Sequence, residues 1–557
     1  MAYSNLATMH RSVAEQLGPR AALRYKRYGL YHTISWDIYR RRADAAAAAL
    51  IDFGIQPGDR IGLLSENRPE WLIADIAILS AGAVDVPIHA PSSPKQVEYQ
   101  LGHSESRVVF VSNQAQADKV RSVLESLPRL EFLVSFEPVD VGGAIRHVTW
   151  EGLLQRGRML GPQGQAEVRR REEALTLDDL ATIIYTSGTT GLPKGVMLTH
   201  GNLLSNAATT VEISKSHTED VILSYLPYSH IYARACDHYM AIYAGSTLCL
   251  AESIDTLVAN LAEIQPTVLS SVPRFYEKVW ASIEHLPPEA RAKALRGILG
   301  SRVRHFSSGG APLPRHVALG FMEAGLPLME GYGLTESSPV ISFNHPGAFK
   351  VGSVGRPIPG VEVKIAADGE ILTRGPHVMK GYWKDPEATV EAIRDGWLHT
   401  GDVGYLDEDG FLFITDRKKD LIITSGGKNI APSELERLLA SDPYIDQAVV
   451  YGDGKPCPSA LIVPNLPALE AKAAELGCRI ELDDRDLIRT QALYDFMAER
   501  IDRLMQAVSN PERVKAFLML GRPLKLDAEE LTATLKVRRK HILSKFVDRL
   551  DALYQEK

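Results

Sequence analysis

The sequence has 557 residues, 45% of them hydrophobic and 24% charged, the balance of a soluble globular protein and not of a disordered or fibrous one. A formal net charge of −7 gives no overall electrostatic reason to bind DNA or RNA, and the length predicts one large unit of sub-domains plus a smaller one. The four cysteines, Cys236, Cys249, Cys457 and Cys478, are scattered without a CxxC pair, which excludes a disulfide framework or a cysteine zinc site and points to a reducing, cytoplasmic setting.

The first twenty residues, MAYSNLATMHRSVAEQLGPR, lack the apolar core of a signal peptide. From about Thr33 to Val111, helical patterns such as WDIYRRRADAAAAALIDFG alternate with short apolar runs, Arg60 to Leu64 and Val84 to Ile88. That alternation predicts α/β layering with helices covering a largely buried sheet. The most membrane-like stretch, Trp71 to Ala90, is interrupted by Asp75 and Asp85, so no segment is expected to span a bilayer. Ala181 to Tyr185, the loop after it and Val196 to Leu198 read as strand, loop, strand, with a helix beginning near His200 to Asn202.

Glycine and charge rise between Arg394 and Lys428, where turn residues separate short β-type runs, and a domain boundary is placed there. Beyond it come a helix with the pattern SELERLLA, strands around Ala448 to Tyr451 and Ala460 to Val463, and a long amphipathic helix carrying Leu493, Phe496, Met497, Ile501, Leu504 and Val508. These predict an α+β domain of roughly 140 residues, an ordinary domain size. No internal repeat or low-complexity tract is present.

The segment Tyr185 to Gly195, YTSGTTGLPKG, carries the strongest chemical signal. Its glycines let backbone N–H groups approach phosphate oxygens, the hydroxyls of Thr186, Ser187, Thr189 and Thr190 add donors, and Lys194 supplies positive charge, so the run suits a polyphosphate. A polar surface turn is the bland alternative, but so long a glycine and hydroxyl run has little structural reason to exist. A P-loop is the sharper rival. It is opposed by Gly195, which stands where a magnesium-binding Ser or Thr belongs, and by the apparent strand after the loop where a helix is required.

YTSGTTGLPKG resembles the signature of the adenylate-forming (AMP-binding) superfamily, and further segments match that family in order: LPYSH (Leu226 to His230), SSGGAPL (Ser307 to Leu313), GYGLTE (Gly331 to Glu336), GWLHTGD (Gly396 to Asp402), DRKKDLI (Asp416 to Ile422), SGGKNI (Ser425 to Ile430) and LTATLKVRR (Leu531 to Arg539). The resemblance implies a phosphate site at Thr186, Ser187, Gly188, Thr189, Thr190, Gly191 and Lys194, and an adenine edge at Gly309, Gly310, Ala311 and Pro312. In GYGLTE, Gly331 and Gly333 would let Tyr332 lie flat on a purine, Thr335 offers a hydroxyl to the α-phosphate, and Glu336, with Thr186, is the implied Mg²⁺ ligand. Taken alone, Tyr332 reads as a core aromatic and Glu336 as a surface acid; the motif order assigns them function. Asp402 and Arg417 are implied at the ribose, with Ile414 in the same cofactor-binding set and Lys428 near the pantetheine channel. His230 is implied as a gate to the acyl site, and Lys536 as the lysine bridging carboxylate and α-phosphate. The basic run Arg538, Arg539 and Lys540 reads either as a hold for coenzyme A phosphates or as a solvated face.

By the same resemblance the fold is α/β: a large N-terminal domain of layered sub-domains (1–416) and a small mobile α+β C-terminal domain (417–557), hinged near 416–420 at Lys419. The implied partners are ATP, Mg²⁺, coenzyme A and a carboxylic acid, with no nucleic acid. LPYSHIYAR, SVPRFYEKVW and TLKVRR lean toward the long-chain fatty acyl-CoA synthetase branch and so toward a medium- to long-chain fatty acid, with room for peripheral membrane contact. Two close alternatives are an acyl-AMP ligase loading a carrier protein and an aryl or other carboxylate CoA ligase. A nucleotide-binding regulator that had lost catalysis should lack at least one of Lys194, Thr335, Glu336, Asp402, Arg417 and Lys536, and all six are present.

Overall fold

The alanine run between Ala43 and Ala49 falls within the helix Trp36–Asp52, where Ala43 and Ala45 to Ala49 are all buried in the main hydrophobic core. Small side chains on that face let neighbouring helices approach closely while the core keeps its density. The computed structural model describes residues 3–143, 145–186, 192–418, 420, 422–425, 429–525, 528, 530–531 and 537–555. They form two units: Met1–Lys364 with Leu372–Thr400 and Leu406–Leu412, and a second made of Ile365–Ile371, Gly401–Tyr405 and Phe413–Lys557.

The first unit holds two large sheets covered by helices, the α/β layering expected from the sequence. One has eight strands, in the order Gly381–Tyr382, Lys194–Thr199, Leu180–Thr186, Val84–His89, Arg60–Ser65, Val108–Val111, Phe132–Ser135 and Arg146–Thr149. Its strands from Leu180–Thr186 onward in that order are parallel, whereas Leu180–Thr186 and Lys194–Thr199 are antiparallel. The helix His200–Ser214 then starts where the sequence indicated, capped by Thr199. The other sheet has nine strands, in the order Arg356–Pro357, Val340–Phe343, Leu328–Gly333, His305–Ser308, Val268–Ser271, Val221–Ser224, Thr247–Leu250, Ala21–Arg27 and Leu30–Ser35.

The stretch Trp71 to Ala90 is core: it forms most of the helix Pro69–Ser80 and the strand Val84–His89, and among the described residues no helix is long and apolar enough to cross a membrane. Its two acids meet Arg234, which comes from the segment following the strand Val221–Ser224 and is fully buried. The guanidinium pairs with Asp75, lies 2.7 Å from Asp85 Oδ2, and donates to Thr182 Oγ1 at 2.8 Å and to the Tyr239 hydroxyl at 3.0 Å. Tyr239 in turn donates to Asp75 Oδ2 at 3.0 Å, and His238 Nε2 lies 3.1 Å from the same oxygen. Burial raises the Asp75 carboxyl, but Arg234 and His238 outweigh it and hold it down at about 2. Burial pushes the Asp85 carboxyl well above the usual carboxylate range. Burial thus weighs against a second carboxylate charge beside Asp75, and Arg234 is the cation that both acids face.

The second unit is an α+β body around a three-stranded sheet of Ile445–Tyr451, Ser459–Pro464 and Phe517–Met519. Alternate residues serve two cores: Ala448, Val450, Ala460 and Ile462 face one, while Val449, Leu461 and Val463 face the other. The amphipathic helix spans Gln491–Met505, so it stops short of the expected Val508. Beyond the helix, Ser509 is extended and caps a separate short turn at Asn510–Glu512.

Replacing Arg234 by Met leaves the Asp75 charge buried without its cation, and is expected to destabilise the first unit by about 3–5 kcal/mol in chemical denaturation of the full chain. The double variant Arg234→Met/Asp75→Asn should recover part of that loss. Equal losses would mean that packing and not charge sets the cost.

Candidate active site

Four strands of the nine-stranded sheet, Val221–Ser224, Val268–Ser271, His305–Ser308 and Leu328–Gly333, run parallel. Ligands of open parallel sheets bind outside the carboxyl ends of the strands, where loops diverge. Gly309 leaves His305–Ser308 at that edge, and its N–H donates to the Ser271 carbonyl at 3.2 Å. The Tyr232 hydroxyl donates to the same carbonyl at 3.3 Å, so the expected adenine loop and the segment after His230 share one anchor. Gly310, Ala311 and Pro312 follow, all three exposed, and Gly310 makes the turn at φ +81°. The His230 ring accepts from the Tyr232 N–H at 3.2 Å, capping a short helix that runs on into the π-helical turn Arg234–Tyr239. Such turns recur at functional sites.

At the end of Leu328–Gly333 the chain doubles back tightly. A Cβ on Gly333 would lie 1.7 Å from the Pro339 carbonyl oxygen, so only glycine fits there, and the Leu334 N–H donates to that oxygen at 3.2 Å. Gly331 and Tyr332 pair with Phe343 and Ser342 on the next strand. The turn puts Thr335, buried, and Glu336, partly exposed, on one short 3₁₀ turn, Thr335–Ser337.

The loop stems are set by strand pairing: Thr186 faces Lys194 across the antiparallel pair, and Tyr185 faces Gly195. The Lys194 ammonium lies 5.0 Å from the centre of the Tyr382 ring, and the Tyr382 hydroxyl donates to Glu336 Oε1 at 3.0 Å. Burial and the Glu336 carboxylate both raise the Tyr382 phenol, so it remains a donor. One aromatic residue thus links Lys194, the register partner of Thr186, to Glu336. Among the described residues no three His, Cys, Asp or Glu side chains form a metal cage. A single carboxylate such as Glu336 suits Mg²⁺, which takes most of its ligands from water and phosphate oxygens.

Residues 10–383 match the AMP-binding enzyme family, and residues 419–557 match the AMP-binding enzyme C-terminal domain. The chain is a member of the AMP-binding enzyme family. FadD15 of Mycobacterium tuberculosis, a long-chain-fatty-acid–CoA ligase, is 37% identical over 92% of this chain and 90% of its own. The peroxisomal long chain acyl-CoA synthetase 6 of Arabidopsis thaliana is 33% identical over 92% of this chain and 80% of its own. Among solved structures, an anthranilate CoA ligase, AuaEII, in complex with anthranoyl-AMP, superposes with a TM-score of 0.78 at 21% identity, covering 99% of both chains. The A-PCP didomain of a carboxylic acid reductase from Segniliparus rugosus, in complex with AMP, gives 0.82 at 21% identity over all of this chain and 83% of its own. At that identity the two structures establish the fold.

Other family positions lie in the second unit or outside the described residues. Arg417 Nε is 3.2 Å from Asp402 Oδ1, and Ile414 lies on the same strand as Arg417, Leu412–Arg417. The Asp402 and Arg417 segments are tied by the Lys418 N–H to the Gly401 carbonyl at 2.8 Å and by Glu370, which accepts from the Gly401 N–H at 3.0 Å and the Lys418 ammonium at 2.9 Å. Arg539 is held by Glu436 at 2.8 Å, so this member of the basic run is committed to an ion pair within the unit. Ser187, Gly188, Thr189, Thr190, Gly191, Lys419, Gly427, Lys428 and Lys536 lie outside the described residues. Sequence reasoning missed Tyr382 and Arg234. The first carries only a local signal, an aromatic after Gly381. The second was implied by Asp75 and Asp85, since two acids in an apolar run call for a buried cation.

Behind Tyr232, burial pushes the Asp237 carboxyl up to about 7 although Ser224 Oγ donates to it at 2.7 Å. An acid whose pKa is raised on folding binds its proton more tightly in the folded state, so stability falls as pH rises from about 4, where the unfolded acid ionises, to about 7. Asp237→Asn should therefore gain thermal stability relative to wild type progressively across that window, read as the difference in Tm at successive pH values.

Proposed function

We propose that this chain is an ATP-dependent, AMP- and pyrophosphate-forming ligase that joins a medium- to long-chain fatty acid to coenzyme A through an acyl-adenylate. The observation that carries this reading is the 37% identity to a long-chain-fatty-acid–CoA ligase over nearly the whole of both chains. The strand-end site supports it, since Thr335, Glu336, Tyr382 and Lys194 are linked in the first unit. Four free cysteines are in keeping with a cytoplasmic enzyme.

In the first half-reaction a carboxylate oxygen attacks the α-phosphorus of ATP, the bond to the β,γ-phosphates breaks, and pyrophosphate leaves. Lys194 and Thr186, at the stems of the glycine and hydroxyl run, are assigned to the departing phosphates. The Thr335 hydroxyl is assigned to the α-phosphate, and the loop from Gly309 to Pro312 with Tyr332 to the adenine. Glu336, with Thr186, is the residue that would hold Mg²⁺, whose chemistry when bound is to neutralise phosphate charge. Asp402, paired with Arg417, is assigned to the ribose hydroxyls. His230, which accepts from the Tyr232 N–H, is assigned to the acyl entrance.

In the second half-reaction the coenzyme A thiol attacks the acyl carbonyl and AMP leaves. The mixed anhydride survives between the two steps only where water is excluded. Lys536 would stabilise the adenylation transition state and then withdraw as the small domain turns about Lys419, bringing Lys428 toward the thiol channel. Arg234 and its acids anchor the segment that follows His230.

The test is incubation of the purified protein with Mg-ATP and acids from acetate to stearate plus benzoate, with and without coenzyme A, followed by mass spectrometry of AMP, acyl-AMP and acyl-CoA. Acyl-CoA from medium or long chains is expected; acyl-AMP that never becomes thioester would point to a carrier-protein acceptor. Lys536→Ala should slow adenylation by about 100- to 1000-fold while largely sparing thioester formation from supplied acyl-AMP. Equal loss of both half-reactions would sink the alternating-domain assignment.

A further inference from the structure

The helix Pro94–Ser104 lies outside every family motif, yet two of its side chains reach both stems of the phosphate run. It starts with a capping box, Ser93 and Gln96, and buries Val97, Gln100, Leu101 and Ser104. Tyr99 and His103, four residues apart and so on one face, point the other way. The Tyr99 hydroxyl donates to the Pro193 carbonyl at 3.0 Å, next to Lys194 on the outgoing stem. His103 Nδ1 lies 2.9 Å from the hydroxyl of Tyr185, next to Thr186 on the incoming stem.

Three aromatic contacts stiffen this arrangement. Tyr99 and His103 stack with centroids 5.2 Å apart, and Tyr185 meets them edge-on at 5.9 and 5.8 Å. Burial raises the Tyr185 phenol and lowers the His103 imidazole, so two neutral groups share one hydrogen bond through Nδ1. The strap is closed from behind by Trp383, whose indole N–H donates to the His103 carbonyl at 3.1 Å and whose backbone N–H donates to the Gly195 carbonyl at 2.7 Å. Gly195 is needed for that closure: a Cβ there would lie 2.9 Å from Ile183 and 3.3 Å from both Trp383 and Tyr185.

We propose that Tyr99 and His103 are positioning residues that clamp the two stems of the polyphosphate run, reinforcing the strand pairing that sets Thr186 opposite Lys194. The inference rests on the proposed function, since it takes the run to hold the β- and γ-phosphates. A preorganised pair of stems places the donors before ATP arrives and so lowers the ordering cost of binding. AMP has no β- or γ-phosphate, so its binding does not draw on the clamp.

The experiment compares wild type with Tyr99→Phe, which keeps the stacked ring and removes only the hydroxyl, and with His103→Leu, which removes the hydrogen-bond partner of Tyr185. Affinities for a non-hydrolysable ATP analogue and for AMP are measured by calorimetry, and KM values for ATP, fatty acid and coenzyme A by steady-state kinetics. One neutral hydrogen bond corresponds to a change of about 2- to 10-fold, so each variant should weaken the ATP analogue and raise KM for ATP by that factor. AMP affinity, the other two KM values and thioester formation from supplied acyl-AMP should stay within about 1.5-fold of wild type, well below the effect of one hydrogen bond. Loss of AMP and ATP affinity together would overturn the clamp in favour of general damage to the fold, and no change in either would overturn it outright. A wild-type protein that binds neither nucleotide would instead refute the proposed function.

Discussion

The first unit depends on a single buried cation. Arg234 arises from the connection between two strands of the nine-stranded sheet, and its partners Asp75, Asp85 and Thr182 belong to the eight-stranded sheet or a helix covering it. Two large sheets that share only apolar contacts can slide, because dispersion and hydrophobic contact are non-directional. A guanidinium with fixed donor directions cannot. The desolvation cost of burying it is high and is offset only if every partner is in place, so the contact selects one relative placement of the sheets. His230 and Tyr232 stand a few residues before Arg234, and Thr182 stands four residues before Thr186, so that placement also sets the distance between the His230 segment and the phosphate stems.

Much of this was legible from the chain alone, where the information is local. The strand–loop–strand reading of Ala181 to Leu198 follows from apolar runs bounded by glycine, and the structure has it as an antiparallel pair with a helix after it. That same pattern disposed of the P-loop alternative. Asp75 and Asp85 showed that Trp71 to Ala90 is no membrane span, and the structure makes it core helix and strand. The end of the helix Gln491–Met505 was overrun because Val508 continues the apolar spacing, while the separate turn that Ser509 caps leaves no mark in the periodicity.

What escaped is non-local. Arg234 lies 159 residues from Asp75, and Tyr382 lies 46 from Glu336. Neither pairing leaves a trace in spacing, because a polar residue in an apolar run announces that it needs a partner without saying which one. Tyr99 and His103 were invisible for a different reason: their helix has an ordinary amphipathic pattern, and only strand order brings it beside the loop. The segments Ile365–Ile371 and Gly401–Tyr405 belong with the chain from Phe413 onward through contacts that sequence distance conceals.

Tyr382 gives the site one further property. Its ring receives the Lys194 ammonium and its hydroxyl donates to a Glu336 oxygen, so two opposite charges meet the same neutral side chain at different ends. A cation resting on an aromatic face is held by roughly 0.5–2 kcal/mol, far more loosely than in a desolvated contact ion pair. In the proposed reaction an incoming polyphosphate draws Lys194 from an aromatic face, and a metal ion takes the place of the phenol at Glu336. The aromatic works as an electrical spacer, keeping both charges near their eventual partners at little cost in reorganisation.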